Sequence, residues 1–153
     1  MEYQKVVFLD RRSPPHMLTL VLISGVGALS MSVFLPVIAE MSRYFNTSYT
    51  LMQLSISLYL VYTAFIQLIA GPISDRLGRR IVTIISVAIF VVASLGCHLS
   101  VSLESFLFFR LLQGTIAAGF LMSRTVIRDI ASDEHDSASR IGYVAMGWAL
   151  IPL

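Results

Sequence analysis

A chain of 153 residues has the length of one ordinary soluble domain, but 56% of its residues are hydrophobic and only 13% are charged. Soluble proteins carry about 25% charged residues, so the composition excludes an ordinary water-soluble domain. The net charge of +2 is small, and no basic patch with interleaved aromatic residues occurs, which argues against a nucleic-acid-binding protein. The sequence also lacks metal-ligand spacings, a nucleophile elbow and a phosphate-binding loop, so we expect no enzyme, no metal and no cofactor.

Long uncharged stretches predict helices that cross a membrane. Residues 17–39, 51–74 and 81–103 contain no Asp, Glu, Lys or Arg, and a hydrocarbon core takes only about 20 helical residues to cross. A backbone in lipid must satisfy its own hydrogen bonds, and apolar residues on every face argue against barrel strands. The predicted fold class is an all-α membrane protein. Its expected spans are residues 17–39, 51–73, 81–99, 104–126 and 141–153.

The first and last spans carry further predictions. Residues 1–16 form a polar leader, in which Ser13 can cap the first helix and Pro14 can occupy its first position. Pro36 permits a kink near the far end of the first span. The last span, residues 141–153, rises only about 20 Å, which is short of the membrane core. We therefore expect four complete spans and the start of a fifth, as in the N-terminal fragment of a longer protein.

The distribution of Lys and Arg predicts how the chain is oriented. Only Arg43 lies on one side of the expected membrane, and Arg110 falls within the fourth span. Cytoplasmic segments of membrane proteins are enriched in Lys and Arg, so we expect a cytoplasmic N-terminus. The nine residues on that side are Lys5, Arg11, Arg12, Arg76, Arg79, Arg80, Arg124, Arg128 and Arg140.

The loop between the second and third spans has an order that its basic character alone does not explain. A tight cytoplasmic loop is expected to be basic, which accounts for arginines but not for glycines and an aspartate. Gly71 and Gly78 permit close approach or unusual dihedral angles, and Asp75 among the arginines predicts a network of ion pairs. The candidate residues of this loop are Gly71, Asp75, Arg76, Gly78, Arg79 and Arg80.

This order resembles the signature loop of the major facilitator superfamily, whose general form is G-x-L-A-D-R-x-G-R-[RK]. Every glycine and every charged position of that pattern is present in residues 71–80, and the loop lies between the second and third spans as the family requires. The resemblance implies the N-terminal half of a major facilitator fold. It also implies a secondary transporter in which the loop acts as a conformational switch.

A second pattern lies in the fourth span. An arginine inside hydrocarbon is expensive and should face a cavity or a partner, and Arg110, Gln113 and Gly114 share one helix face. The alternative is an arginine that snorkels to the membrane surface, since Arg110 lies near the start of the span. The run Arg110–Gly114 resembles the R-x-x-Q-G motif of the superfamily's drug/proton antiporters. That resemblance places the three residues on the proton or substrate path.

The cytoplasmic end of the fourth span carries Asp129. In the family, an acidic residue at this place pairs with the signature-loop arginine, so the resemblance implies a charge cluster of Asp75, Arg79 and Asp129 that clamps the second and fourth spans. The ending Arg128–Ile130, with the run 34–40 in the first span, resembles the Bcr/CflA-type multidrug efflux group. The first span departs from many such antiporters because it contains no carboxylate for proton binding.

Aromatic and methionine side chains of the first and fourth spans are candidates for lining a cavity that suits amphipathic compounds. The alternative is that they face lipid or neighbouring helices. These candidates are Met31, Phe34, Phe120 and Met122.

The resemblance implies a proton-coupled exporter of drugs or other small amphipathic compounds that works by alternating access in a bacterial inner membrane. Its expected partners are a small-molecule substrate, protons, the lipid bilayer and the remaining helices of the same protein. One alternative is an uptake transporter of the same superfamily for a sugar, an organic acid or another metabolite. An alternative of another class is a truncated membrane fragment that transports nothing.

Overall fold

The computed structural model describes residues 16–130, 138–139 and 141–146. In these residues the secondary structure is helical and contains no strand. The helices are α1 (Met17–Ser32), α2 (Phe34–Tyr44), α3 (Tyr49–Leu77), α4 (Arg79–Leu99), α5 (Leu103–Gln113) and α6 (Ile116–Ile130). By length and composition, α3, α4 and the stretch Leu103–Asp129 can each cross a membrane, and α1 with α2 forms a fourth candidate that is bent by 44°. The predicted all-α membrane fold is confirmed.

The first span is broken rather than merely kinked. The break lies at Val33, between α1 and α2, and α2 continues to Tyr44, beyond the predicted end of this span. Pro36 explains the position, because it has no N–H to donate to the Ser32 carbonyl and its ring collides with that carbonyl. At the other end, α1 begins at Met17 with His16 as its N-cap, not Ser13. The predicted leader otherwise lies outside the described residues.

The predicted loop 71–80 is almost entirely helical, which corrects the sequence-based expectation. The helices α3 and α4 are separated only by Gly78, whose φ of 90° favours a residue without a Cβ. Its N–H donates to the Ser74 carbonyl at 2.9 Å and closes α3. Gly71 lies inside α3, where an added Cβ would meet nothing within 4 Å, so it provides no close approach.

The predicted fourth span contains a one-turn interruption. The helix α5 ends at Gln113 and α6 begins at Ile116. The N–H groups of Gly114 and Thr115 bond carbonyls three residues earlier, at 2.9 and 3.1 Å, which tightens the chain into a 3₁₀-type turn. In the predicted fifth span, the described residues 141–146 are helical, and the rest lies outside the described part.

Small residues bring α6 close to its neighbours. A Cβ on Gly119 would lie 3.1 Å from both Ile23 of α1 and Ser86 of α4. Close approach through small residues is the usual way in which membrane helices associate, because lipid removes the hydrophobic drive between them. Large apolar side chains instead cover the outside, as shown by Val61 and Leu68 of α3, which are 69% and 76% exposed. An outer surface of this kind suits lipid rather than water.

We predict opposite effects for two Gly→Ala substitutions. A Cβ at Gly96 would collide with the ring of Phe109, so Gly96→Ala should lower the stability of the α4–α5 packing by about 1–3 kcal/mol. Gly71→Ala should leave stability unchanged or raise it by up to about 1 kcal/mol, because alanine favours the helix and meets no neighbour. Unfolding in detergent micelles, followed by circular dichroism, measures both. Equal effects of the two variants would contradict this packing.

Candidate functional site

Arg110 lies in the interior of the helix bundle. Its side chain is 6% exposed, although α5 is one of the two helices that form the fourth span. Its Nη1 donates to the side-chain oxygen Oε1 of Gln113 at 2.7 Å and to Oγ of Ser30 at 3.3 Å. Its Nη2 donates to the backbone carbonyl of Ser30 at 3.0 Å. The alternative of a snorkelling arginine is therefore wrong, because the guanidinium points to α1 and not to the membrane surface.

The break in the first span explains why the Ser30 carbonyl is available. Ser30 lies in the last turn of α1, and the last four carbonyls of a helix have no partner within that helix. Arg110 supplies a charged donor to one of them. The guanidinium carbon also lies 4.4 Å from the ring centre of Phe34 and 4.6 Å from that of Tyr59, and such contacts stabilise a cation.

Gln113 extends this network to a third helix. Its Nε2 donates to Oγ of Ser94 in α4 at 3.0 Å, while its Oε1 accepts from Arg110. Gly114 follows directly, and a Cβ there would lie 2.7 Å from the Tyr62 ring of α3. The predicted face of Arg110, Gln113 and Gly114 thus forms contacts to α1, α4 and α3, with the glycine acting through close packing.

Two cavities lie on either side of α1. The first, which we call the arginine cavity, has a volume of about 450 Å³ and includes Arg110, Gln113 and Phe34 in its wall. The second, which we call the α3 cavity, has a volume of about 300 Å³ and includes Met31 and Phe120. Three of the four predicted lining residues therefore border a cavity, but they do not border the same one.

Met122, the fourth predicted lining residue, borders neither of these cavities. It is 1% exposed and packs in a cluster with Ala70, Val82 and Ala118, between α3, α4 and α6. Met122 thus packs between these helices, where the small side chains of Ala70 and Ala118 leave room for it, and it does not line either cavity.

A second charged contact joins the start of α4 to the end of α6, so it connects the third span to the fourth rather than the second to the fourth. Nε of Arg79 is 2.9 Å from a carboxylate oxygen of Asp129, and both side chains are partly exposed. This contact has the two partners that the resemblance implied. Among the described residues, Asp75, Arg76 and Arg80 form no ion pair within 4.0 Å, so the cluster contains one pair and not a network.

Ser30, Ser94 and Tyr59 belong to the Arg110 site but were not predicted from the sequence. Serines within apolar spans are a weak signal, because most of the serines here bond carbonyls of their own helices, as Ser24 does to Leu20. Only a buried cation nearby makes such a serine part of a site.

We predict that Arg79 and Asp129 are energetically coupled. A double-mutant cycle with Arg79→Gln and Asp129→Asn should give a coupling free energy of about 0.5–1 kcal/mol. It should fall in about 1 M salt, where screening reaches only about 3 Å. The pair Glu40 and Arg43, which is mostly exposed with a separation of 3.9 Å, is the matched control and should give almost none. Unfolding in micelles measures both cycles, and equal couplings would contradict the prediction.

Comparison with known proteins agrees with this architecture. Residues 20–153 match the family described as Major Facilitator Superfamily. The chain is 38% identical over 106 residues to the uncharacterized MFS-type transporter YdgK of Bacillus subtilis, with 69% of the chain and 26% of the relative covered. It is 36% identical to the chloramphenicol resistance protein of Pseudomonas aeruginosa, with 83% of the chain and 30% of the relative covered.

A third relative is multidrug resistance protein D of Escherichia coli, which is 36% identical, with 78% of the chain and 31% of the relative covered. The chain thus spans between 26% and 31% of the length of these curated relatives. No solved structure gives a significant match. The match over residues 20–153, together with the helical architecture, shows that this multi-pass membrane protein belongs to the major facilitator superfamily.

Proposed function

We propose that the chain forms the N-terminal part of a proton-coupled exporter of small amphipathic compounds, which further helices of the same protein complete. The observation that carries this proposal is the buried Arg110, held by Ser30 and Gln113 in the wall of an apolar cavity. A cation held inside a membrane bundle, away from lipid, marks a substrate or ion path. The multidrug and chloramphenicol resistance proteins among the relatives support export over uptake.

Alternating access gives the two charged contacts separate roles. The stretch Leu103–Asp129 carries Arg110 near its start and Asp129 at its end. A tilt of this stretch against α4 strains the pair of Arg79 and Asp129, while the hydrogen bonds to Ser30 connect its other half to α1. The ion pair thereby stabilises one of the two states, and its loss accompanies the change to the other.

The group that binds the coupling proton lies outside the described spans in this proposal. Within the described residues, the acidic side chains are at helix ends, and the ion pairs they form are Glu40 with Arg43 and Asp129 with Arg79. Arg110 keeps its charge throughout the cycle in this proposal, because a guanidinium stays protonated in proteins. Arg110 then acts by its fixed positive charge, and a carboxylate from the completing helices carries the proton.

The proposal also includes the location of the chain in a lipid bilayer and its orientation there. We place the N-terminus and the pair of Arg79 and Asp129 in the cytoplasm of a bacterium, at the inner membrane, because nine of the Lys and Arg residues share that side. The substrates and protons then move between the cytoplasm and the periplasm.

Proton release on substrate addition tests this function. Everted membrane vesicles that contain the complete transporter are acidified inside by respiration, and a fluorescent weak base reports the pH difference. Chloramphenicol, a lipophilic cation and a lipophilic carboxylate are then added in turn. An exporter that exchanges protons for substrate restores fluorescence with at least one of them. If none restores it beyond the level of vesicles without the protein, proton-coupled export is excluded for these classes.

We predict that Arg110→Ala abolishes this activity while the protein still inserts. The change removes the donors to Ser30 and Gln113, and a charge-assisted hydrogen bond contributes about 1.5–3 kcal/mol, so the rate should fall by about tenfold or more. Arg43→Ala is the matched control, because Arg43 is exposed at the end of α2 and should retain its rate. A loss of membrane-inserted protein that fully accounts for the lower rate would contradict a functional role for Arg110.

A further inference from the structure

The arginine cavity contains a positive charge that no described carboxylate balances. The acceptors of Arg110 are the Ser30 carbonyl, the Ser30 hydroxyl and the side-chain amide of Gln113, all of which are neutral. Its Nε is buried and has no hydrogen-bond partner among the residues that the structure describes. Neutral dipoles and two rings reduce the cost of the buried charge, but they leave a full positive charge and one free N–H group.

A buried cation of this kind favours an anionic partner. The effective cost of a charge in a low-dielectric site is several kcal/mol, and an opposite charge with good geometry offsets it. Among the described acidic residues, Glu40 and Asp129 are paired elsewhere, and Asp75 and Glu104 are exposed. None of the four is within 4.0 Å of Arg110. The guanidinium therefore offers its charge and an N–H group to an anion from outside the described residues.

The rest of the cavity wall is apolar, so it favours an anion whose uncharged part is apolar. Its wall includes the rings of Phe34, Phe90 and Phe106 and the aliphatic side chains of Val33 and Val37. Its volume of about 450 Å³ lies within the roughly 300–1,000 Å³ of small-molecule sites. Apolar walls with one precisely placed charged group are typical of sites that hold an amphipathic molecule in a single orientation.

We propose that the arginine cavity binds small amphipathic carboxylates, with the carboxylate at Arg110 and the aromatic or aliphatic body against the phenylalanines. This proposal rests on the proposed function, since it names the class of compound that the exporter takes into this cavity. A lipophilic cation of the same shape is disfavoured there, because its charge meets that of Arg110 across an apolar space, where Coulomb repulsion is strong.

Cys97 provides a reporter for this site. It is the single cysteine of the chain and lies in the wall of the arginine cavity. A ligand in the cavity should therefore slow the reaction of its thiol with methyl methanethiosulfonate, which forms a methyl disulfide at the thiol and releases methanesulfinate. The complete transporter, with any cysteine outside residues 1–153 replaced by serine, is reconstituted in lipid nanodiscs, and mass spectrometry follows the reaction in the presence of 2-naphthoate, 2-naphthamide or 2-naphthylmethylammonium. These three probes share a ring system and differ in charge.

We expect 2-naphthoate to protect Cys97 at a concentration at least about tenfold lower than 2-naphthamide, since a hydrogen bond to a charged group contributes about 1.5–3 kcal/mol. The cationic probe should give no protection. In Arg110→Gln the preference for the carboxylate should disappear while protection by the amide remains. Arg110→Lys, which retains the charge, should keep a reduced preference, and this variant serves if Arg110→Gln fails to fold. Arg43→Ala should behave as the unchanged chain.

Three results would overturn the proposal. They are equal protection by all three probes, no protection by 2-naphthoate, and a Cys97 that does not react without a probe because another helix fills the cavity. The test measures binding and needs no transport, so its failure is distinct from that of the proposed function. If 2-naphthoate protects Cys97 but the protein shows no proton-coupled export, the proposed function is contradicted while the proposed carboxylate site is still supported.

Discussion

A positive charge cannot lie in hydrocarbon without partners, and this constraint organises the interior of the protein. Arg110 meets it by reaching across to α1, where a broken helix leaves the Ser30 carbonyl without a partner in its own helix. The same guanidinium donates a hydrogen bond to the side chain of Gln113 and lies over the rings of Phe34 and Tyr59. Helices α1, α3, α4 and α5 are thereby held around one guanidinium.

The same stretch of chain connects this interior site to the proposed cytoplasmic surface. Arg110 and Asp129 lie on the stretch Leu103–Asp129, which is interrupted by the tight turn at Gly114 and Thr115. One half of the stretch is fixed to α1 and α4 by hydrogen bonds, and the other half is fixed to the start of α4 by the Arg79 pair. The turn separates a strongly bonded segment from one held by a partly exposed ion pair. If the two halves of the stretch move relative to each other, breaking the Arg79–Asp129 pair therefore costs less free energy than breaking the hydrogen bonds of Arg110 and Gln113.

Much of this architecture follows from the sequence, because uncharged runs in lipid leave few alternatives to helices. The order of residues 71–80 carried the resemblance to the signature loop, and that resemblance implied the pairing of Arg79 with Asp129. The break at Val33 could not be predicted, because a proline can either kink or break the helix before it, and the packing of the neighbouring helices determines which occurs. The role of the Ser30 carbonyl could not be predicted either, because every residue has a backbone carbonyl and the residue type does not show which one is free to accept. The placement of Met122 depended on which neighbours of α6 are small, which is a property of the packed helices.

The use of a backbone carbonyl at Ser30 has a consequence for substitutions at this position. Every amino acid provides that oxygen, so a substitution at position 30 changes the Oγ contact but leaves the stronger acceptor in place. What leaves this carbonyl without a partner in α1 is the break at Val33, since Ser30 lies in the last turn before it. A change that restored a continuous helix across Val33 would therefore give the Ser30 carbonyl a backbone partner and weaken the site without altering any side chain that contacts Arg110.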